Sequence, residues 1–293
     1  MLDGSRSRRL NDMATKHDDD DMTSTMGAIP PILLVGCGRM GSAMLSGWRE
    51  QGLAASVAVD PSPAAMAFSG PDMTVVGDAG AIPDRFKPAA VVLAVKPQNA
   101  AATLPDYRRF AGSTVFLSIM AGRTIHGIGA SLGGSAAIVR AMPNTPAAVR
   151  QGVTVGCANA RVSTAQKALC DRLLQAIGKV AWVDDEALLD PVTAVSGSGP
   201  AYVFLLAELM QQAAIEQGIP PDLARLLARQ TVAGSGALLN ASPEDAADLR
   251  QAVTSPGGTT AEALAVLMNP DAWPTAMSQA IAAATRRSRE LAG

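Results

Sequence analysis

Cysteine, aromatic side chains and excess charge are all scarce in this 293-residue sequence, and each scarcity excludes a class of protein. The three cysteines, Cys37, Cys157 and Cys170, are odd in number and widely spaced, which fits neither a disulfide framework nor a zinc site. We therefore expect no metal and a reducing compartment, namely the cytoplasm. A net charge of −2 provides no basic surface for nucleic acid as the main partner.

A long uninterrupted hydrophobic run is also missing. The longest mostly apolar stretch, 194–207, contains Ser, Gly and Pro and is shorter than the about 20 residues that span a bilayer, so we predict no membrane segment. Residues 1–28 differ from the rest because they combine three arginines with the acidic run 18–21 and have few apolar side chains. We expect them to form a disordered extension rather than a signal peptide.

From Ile32 onward, short apolar runs rich in β-branched residues alternate with helix-length segments, a pattern typical of parallel βαβ units. We therefore predict an α/β Rossmann domain with a mostly parallel, doubly wound sheet at residues 29–184. One predicted helix, 40–51, ends before Gly52, and another, 163–177, has Ser163 as its N-cap. The predicted strands are 32–35, 57–59, 91–95, 115–119, 136–140, 152–157 and 179–183.

After residue 184 the pattern becomes helical, and residues 185–293 are predicted to form an all-α domain for dimerisation and substrate binding. The first helix begins at Pro200 and is followed by Gly218, residues that favour these two helix ends. Its segment 200–209 is apolar nearly all round, which requires burial on every side. Either a second chain covers part of it, or it is buried within one subunit. The predicted helices are 200–217, 221–240, 260–268 and 271–291.

The segment 36–41 reads G-C-G-R-M-G, follows the first strand and opens a helix. In that context a G-x-G-x-x-G pattern indicates dinucleotide binding, because the glycines let the backbone approach a pyrophosphate at the helix N-terminus. A purely structural glycine turn is the alternative. Asp60 closes the second strand, where an acid hydrogen-bonds the ribose 2′-hydroxyl of NAD and repels a 2′-phosphate. No Arg or Lys follows before Arg85, which favours NADH, whereas the alternative for Asp60 is an ordinary Asp-Pro turn.

Two polar segments follow other predicted strands, at the edge where open α/β sheets bind ligands. Val95-Lys96-Pro97 ends the third, and its lysine either neutralises phosphate or substrate charge or is simply solvated. The loop A-M-P-N-T-P at 141–146 follows the fifth and holds Asn144 in a stiff setting, although by itself it indicates no chemistry.

Two segments of the second half carry small and hydroxyl side chains. S-G-S-G-P at 196–200 allows another backbone or a ligand to approach closely. T-S-P-G-G-T-T at 254–260 opens a helix, where successive N–H groups can hold a carboxylate and Thr259 or Thr260 adds a hydroxyl. The alternative is a Gly-Gly turn with a threonine N-cap.

Lysine and histidine are absent after Lys179, and the whole chain has two histidines. Enzymes that oxidise an alcohol normally place one of these residues near the hydroxyl as a general base. A protonated imine needs hydride and orientation but no such base. The absence therefore favours reduction of C=N over C=O.

Taken in order, the segments resemble those of pyrroline-5-carboxylate reductases: G-x-G-x-M-G at 36–41, V-K-P at 95–97, M-P-N-T-P at 142–146, S-G-S-G-P-A-Y at 196–202 and S-P-G-G-T-T at 255–260. The resemblance implies NAD(P)H-dependent reduction of 1-pyrroline-5-carboxylate to L-proline, the final step of proline biosynthesis. It also implies a helical domain that interlocks with a second subunit in a homodimer or higher oligomer. Many relatives use NADPH well, in contrast to the preference that Asp60 indicates.

By the same resemblance, the backbone of Gly258, Thr259 and Thr260 would hold the substrate carboxylate. The Thr260 hydroxyl would lie near the ring nitrogen as the catalytic group, and Val253 and Ser255 would complete the substrate site. The cofactor residues would be Gly36, Gly38, Arg39, Met40, Gly41, Asp60, Val95, Lys96, Pro97 and Asn144.

One departure is Asp245-Ala246, where the family usually carries His-Pro, so the contacts near that bend are expected to differ. A β-hydroxyacid dehydrogenase-like reductase is the enzyme alternative, and it would need a lysine in the helical domain. A nucleotide-binding protein without turnover is the non-enzyme alternative.

Overall fold

The computed structural model describes residues 28–292, and its first half is one mostly parallel sheet flanked by helices, as the sequence predicted, but with eight strands rather than the predicted seven. The extension predicted at residues 1–28 lies, apart from Ala28, outside the described residues. The strands are β1 (Ile32–Val35), β2 (Ser56–Val59), β3 (Met73–Val76), β4 (Ala90–Leu93), β5 (Val115–Ser118), β6 (Ala137–Met142), β7 (Gly152–Ala158) and β8 (Gly178–Val183). The helices of this half are α1 (Arg39–Glu50), α2 (Ala100–Thr103), α3 (Ile125–Ser131) and α4 (Thr164–Gln175).

The strand order is β3-β2-β1-β4-β5-β6-β7-β8, and all neighbours are parallel except β6 and β7. The order reverses between β1 and β4, which opens a crevice at the carboxyl ends of these strands, the position where such sheets bind dinucleotides. The pair β6–β7 departs from the predicted parallel units because only the loop 143–151 joins the two strands. Parallel pairing needs a crossover of a dozen or more residues.

Helix α1 is held tightly against the sheet and against α4. Met44 and Leu45 are buried, and each contributes about 1.5–3 kcal/mol by removing apolar surface from water. The buried indole of Trp48 donates its Nε1–H to the Leu173 carbonyl of α4 over 2.9 Å. A Cβ at Gly47 would overlap the carbonyl oxygen of Ala176, so only glycine permits this close approach. The packing fixes the N-terminus of α1 at the crevice.

Strand β3 and the short helices α2 and α3 were missed by the sequence patterns. Strand β3 has only four residues, M-T-V-V, at the edge of the sheet, and a run this short shows too little alternation. Helix α3 contains Gly127 and Gly129, which lower helix propensity, but Thr124 caps it by accepting the Gly127 N–H. The predicted cap of α4 is confirmed, because Ser163 and Gln166 form a reciprocal capping box.

The second half is helical, and no strand lies between residues 184 and 292. The last helix returns to the sheet side, where the buried hydroxyl of Ser288 donates to Asp190 Oδ1 over 2.7 Å. The sequence missed the short helix after Asp245. The elements are α5 (Leu189–Val192), a π-helical turn (Thr193–Gly197), α6 (Gly199–Glu216), α7 (Pro221–Ala241), α8 (Ala246–Ala252), α9 (Thr259–Leu267) and α10 (Trp273–Ala292).

Helix α6 is apolar but unburied within one chain. None of its residues is buried, and Phe204 is 67% exposed and Leu205 51% exposed. Helix α7, which packs against it, buries only Ala224 and Ala228. Burial within one subunit, one of the two alternatives left open by the sequence, is therefore wrong. An uncovered apolar face along a helix of this length indicates a surface that binds a partner.

The same region forms one continuous helical stretch, Glu186–Glu216, of 31 residues, which contains an 18-residue window with a mean hydropathy of 1.3. By length and composition alone it could cross a bilayer, in contrast to the shorter apolar run read from the sequence. Three of its groups are engaged by the rest of the chain: the Glu186 carboxylate accepts from Arg140, Asp190 accepts from Ser288, and the Ser196 carbonyl accepts from Asn144.

Candidate cofactor and substrate site

The glycine turn after β1 needs glycine at two positions for reasons internal to the protein. Gly36 has a φ of +97°, and a Cβ there would lie 2.8 Å from the Ala94 carbonyl oxygen. A Cβ at Gly41 would overlap the carbonyl oxygen of Gly36. At Gly38, by contrast, a Cβ would meet no atom of residues 28–292 within 4 Å. The space beside Gly38 is therefore open to a ligand.

The N-terminus of α1 also has free hydrogen-bonding capacity. Gly38 is the N-cap and provides no side-chain cap, and the first helical bond runs from the Ser42 N–H to the Gly38 carbonyl over 2.9 Å. The N–H groups of Arg39, Met40 and Gly41 thus lack helical partners and point along the helix axis. Such an end binds phosphate through these donors and the helix dipole, so these residues fit a dinucleotide pyrophosphate.

Asp60 lies beside this turn and is bound to it. Its Oδ2 accepts the Cys37 N–H over 2.6 Å, while Oδ1 accepts the Ser62 N–H over 2.8 Å in an Asx turn. The carboxylate therefore forms the ordinary turn that was one alternative, and it also brings a negative charge to the glycine turn. Burial, with the Asp60 charge as a smaller cause, raises the pKa of the Cys37 thiol to about 11.

Beyond β4, the segment Val95-Lys96-Pro97 lies at the same edge of the sheet. Lys96 is exposed, and among residues 28–292 its ammonium has no hydrogen bond or ion pair. Pro97 begins a 3-10 turn, and the Pro97 carbonyl oxygen accepts a hydrogen bond from Arg123 Nε over 2.9 Å. Arg123, which follows β5, was not recognised in the sequence because its contact depends on the pairing of β4 with β5.

Asn144 follows β6 and uses both ends of its amide. Its Nδ2 donates to the Ser196 carbonyl over 3.1 Å, and its Oδ1 accepts the Val153 N–H over 2.9 Å. The glycine turn, Asp60, Lys96 and Asn144 all follow strands of the same direction and therefore meet at one sheet edge. This is the juxtaposition that the sequence predicted for the cofactor residues.

The loop at 253–260 is largely exposed within one chain. Among the described residues its hydrogen bonds are local: Thr254 bonds to Gln251 and Arg250, and the Gly258 N–H donates to the Ser255 carbonyl over 3.0 Å. Val253, 65% exposed, ends α8. A cavity of about 360 Å³ near Arg161 lies at the opposite edge of the sheet, by the amino ends of β5 and β6.

The N-terminus of α9 has no side-chain cap. Gly258 is the N-cap residue, so the alternative of a threonine N-cap is wrong. Thr259 and Thr260 occupy the first turn, and the first helical bond is made by the Glu262 N–H to the Gly258 carbonyl. Since the Gly258 N–H is already used, the donors available to an anion are those of Thr259, Thr260 and the next residue.

An ion pair at the junction of the two halves was missed by sequence reasoning. Arg140, only 4% exposed, donates from Nη1 to Glu186 Oε1 over 2.8 Å, and the same oxygen accepts the Ile125 N–H over 2.8 Å. Arg140 appears in the sequence as one polar residue in an apolar strand, and its partner is 46 positions away. No local signal connects the two.

Comparison with known proteins identifies relatives for both halves. A family model described as pyrroline-5-carboxylate reductase dimerisation matches residues 186–291, and one described as NADP oxidoreductase, coenzyme F420-dependent, matches residues 31–122. The chain is 39% identical over 269 residues to a pyrroline-5-carboxylate reductase of Pseudomonas aeruginosa, covering 90% of this chain and 97% of that protein. The Haemophilus influenzae enzyme of the same name is 36% identical, with 89% and 97% covered.

Solved structures give the same picture. A pyrroline-5-carboxylate reductase from Coxiella burnetii has a TM-score of 0.83 and 34% identity, with 90% of this chain and 99% of that chain covered. The Plasmodium falciparum pyrroline carboxylate reductase, solved with NADP bound, has a TM-score of 0.75 and 27% identity, with 90% and 98% covered.

Proposed function

The chain belongs to the pyrroline-5-carboxylate reductase family, and from this premise we propose how its residues perform the reaction. It is an NAD(P)H-dependent oxidoreductase that acts on a C=N group and reduces 1-pyrroline-5-carboxylate to L-proline in proline biosynthesis. The observation that carries the assignment of roles is that α1 and α9 both begin after a glycine N-cap, Gly38 and Gly258, which leaves their first N–H groups without a side-chain cap.

The cofactor residues fit a dinucleotide because the turn leaves open space at Gly38 and free N–H groups at the start of α1. When bound, the reduced nicotinamide supplies the hydride for the C=N carbon. Arg39 and Lys96, both exposed, add positive charge for the phosphates, and Val95 and Pro97 form the neighbouring wall. Asp60 places a carboxylate beside the turn with no basic neighbour in sequence, which supports NADH as the preferred cofactor over the NADPH used by many relatives.

The substrate site is proposed at the N-terminus of α9. The N–H groups of Thr259 and Thr260 would bind the carboxylate of the ring, with Gly258 and Ser255 shaping the turn and Val253 alongside. The Thr260 hydroxyl would then lie near the ring nitrogen, orient the protonated imine and hold its proton. Because no Lys or His follows residue 179, rate would come from orientation and charge placement rather than from a strong base.

Assembly completes this site in our proposal. The apolar face of α6 is uncovered in one chain, and the 253–260 loop makes only local hydrogen bonds there. In a homodimer whose interface covers α6 and α7, the helical domains of the two subunits, residues 185–293, would lie against their Rossmann domains, residues 29–184. We place the enzyme in the cytoplasm and infer neither a membrane nor a nucleic acid as its partner.

The test compares steady-state NADH and NADPH oxidation by wild type, Thr260→Ala and Thr260→Ser with 1-pyrroline-5-carboxylate. Loss of the hydroxyl should lower kcat/KM by about 10²-fold or more, as expected for a general acid–base or orienting group, while cofactor affinity stays within about threefold. Serine should recover much of the rate, and Thr275→Ala in α10 controls for the loss of a threonine hydroxyl elsewhere. Wild-type activity on a hydroxy acid but not on the imine would overturn the reaction assignment.

A further inference from the structure

The π-helical turn at Thr193–Gly197 has a carbonyl group that its own helix cannot satisfy. In an α-helix the Ser196 carbonyl would accept the N–H of residue 200, but residue 200 is proline and has none. In the π register of this turn it would accept the Ala201 N–H, which instead donates to the Ser198 carbonyl over 3.0 Å. The neighbouring carbonyls are satisfied within the segment: Val192 accepts from the Ser196 hydroxyl over 2.9 Å, Thr193 from the Ser198 N–H over 2.9 Å, and Ala194 from the Tyr202 hydroxyl over 3.0 Å.

The donor for Ser196 comes from the other half of the chain. Asn144 Nδ2 supplies it at 3.1 Å, and the opposite end of the amide is held by the Val153 N–H, so the side chain is fixed from both sides. The contact is close, because a Cβ at Gly197 would come within 2.8 Å of Met142 Cε. The M-P-N and S-G-S-G-P segments, which are far apart in sequence, are thus complementary in structure.

A second contact fixes the orientation of the same segment. Arg140 binds Glu186, ten residues before Ser196, while Asn144 lies four residues beyond Arg140. The helical segment 186–196 is therefore attached to the end of β6 at both of its ends.

We propose that Asn144 is a positioning residue, which supplies the hydrogen bond that Pro200 cannot and so fixes the start of α6 relative to the cofactor edge of the sheet. This rests on the proposed function, in which α6 belongs to the assembly that presents the substrate loop. Asn144 then acts on the distance between the two reactants through the π-helical turn rather than as the nicotinamide contact that the resemblance implied. Misplacement of reacting groups by about 1 Å lowers rates by up to about 10²-fold.

A double-mutant cycle with Asn144→Asp and Pro200→Ala tests this proposal. Asn144→Asp keeps the acceptor for Val153 but replaces the donor with an oxygen that repels the Ser196 carbonyl. We expect kcat to fall by about 10-fold or more with the cofactor KM within about threefold. Pro200→Ala restores an N–H four residues after Ser196, so it should have little effect alone and should recover most of the kcat lost in Asn144→Asp.

The same four proteins should be compared by thermal unfolding without substrate, which keeps the result separate from the reaction assignment. If Pro200→Ala restores the Tm lost in Asn144→Asp while the wild type does not reduce the imine, the Asn144–Ser196 bond is supported and the proposed function is overturned. If the kcat of the double mutant shows that the effects of the two substitutions are independent, the proposal is overturned. An Asn144→Asp enzyme with unchanged kcat would overturn it as well. A rise confined to the cofactor KM would show that Asn144 contacts the cofactor directly instead.

Discussion

The replacement of Gly38 with alanine separates cofactor binding from folding. The backbone of Gly38 has φ −65° and ψ −172°, which alanine adopts without strain, and within the described part of the chain its methyl group would meet no atom within 4 Å. Alanine is a poorer N-cap than glycine by up to about 1 kcal/mol, but it also restricts the unfolded chain by about 0.4–1 kcal/mol. We therefore expect Tm to change by no more than about 2–4 °C.

The effect on the cofactor should be much larger. A methyl group at this position occupies the space through which a pyrophosphate approaches the free N–H groups of Arg39 and Met40. Loss of one charge-assisted hydrogen bond costs about 1.5–3 kcal/mol, which corresponds to roughly 10- to 100-fold weaker binding. NADH and NADPH should be affected equally, since they differ only at the adenosine ribose.

Titration calorimetry with both cofactors and a thermal melt measure the two quantities. Gly41→Ala is the matched control, because its Cβ overlaps the Gly36 carbonyl inside the protein and should lower Tm and affinity together. Wild-type affinity in Gly38→Ala would refute the pyrophosphate assignment. A loss of Tm as large as that of Gly41→Ala would show that Gly38 has a structural role instead.

Three further outcomes are expected. Asp60→Ser should raise kcat/KM for NADPH relative to NADH. Asp60→Asn keeps an acceptor for the Cys37 N–H, so it shows the effect of removing the charge without removing this hydrogen bond. A wild-type enzyme that strongly prefers NADPH would contradict the assignment. Phe204→Glu should dissociate the oligomer on gel filtration, while Met66→Glu, an exposed apolar residue outside the helical domain, should not. Because burial raises the pKa of Cys37 to about 11 from an ordinary 9.0, its thiol stays protonated, and iodoacetamide at pH 8 should label it only after unfolding. Because the folded state holds the Cys37 proton more tightly than the unfolded state does, the contribution of this proton to the free energy of unfolding is lost as pH rises from 9 towards 11. Labelling of the native thiol at pH 8 would contradict the raised pKa.

The local features of this protein were determined by sequence alone. The glycine turn, the Ser163 cap and the limits of the long helices depend on a few adjacent residues, so their patterns predicted the Rossmann class and the helical second half. The absence of lysine and histidine after residue 179 indicated imine reduction for the same reason, because a missing residue type is visible without a fold. Strand β3, four residues at a sheet edge, was too short to leave such a pattern.

The relations between distant segments depend on how the chain packs and could not be read from local patterns. The bond from Asn144 to Ser196 spans 52 positions, and the Arg140–Glu186 pair spans 46, so neither could be derived from spacing. Sequence left open whether the apolar helix α6 is buried within its own subunit, and the folded chain shows that it is not. The hydrophobic pattern of a segment predicts that its surface must be buried. Which surface buries it depends on packing, because burial is a property of the folded and assembled protein rather than of the segment.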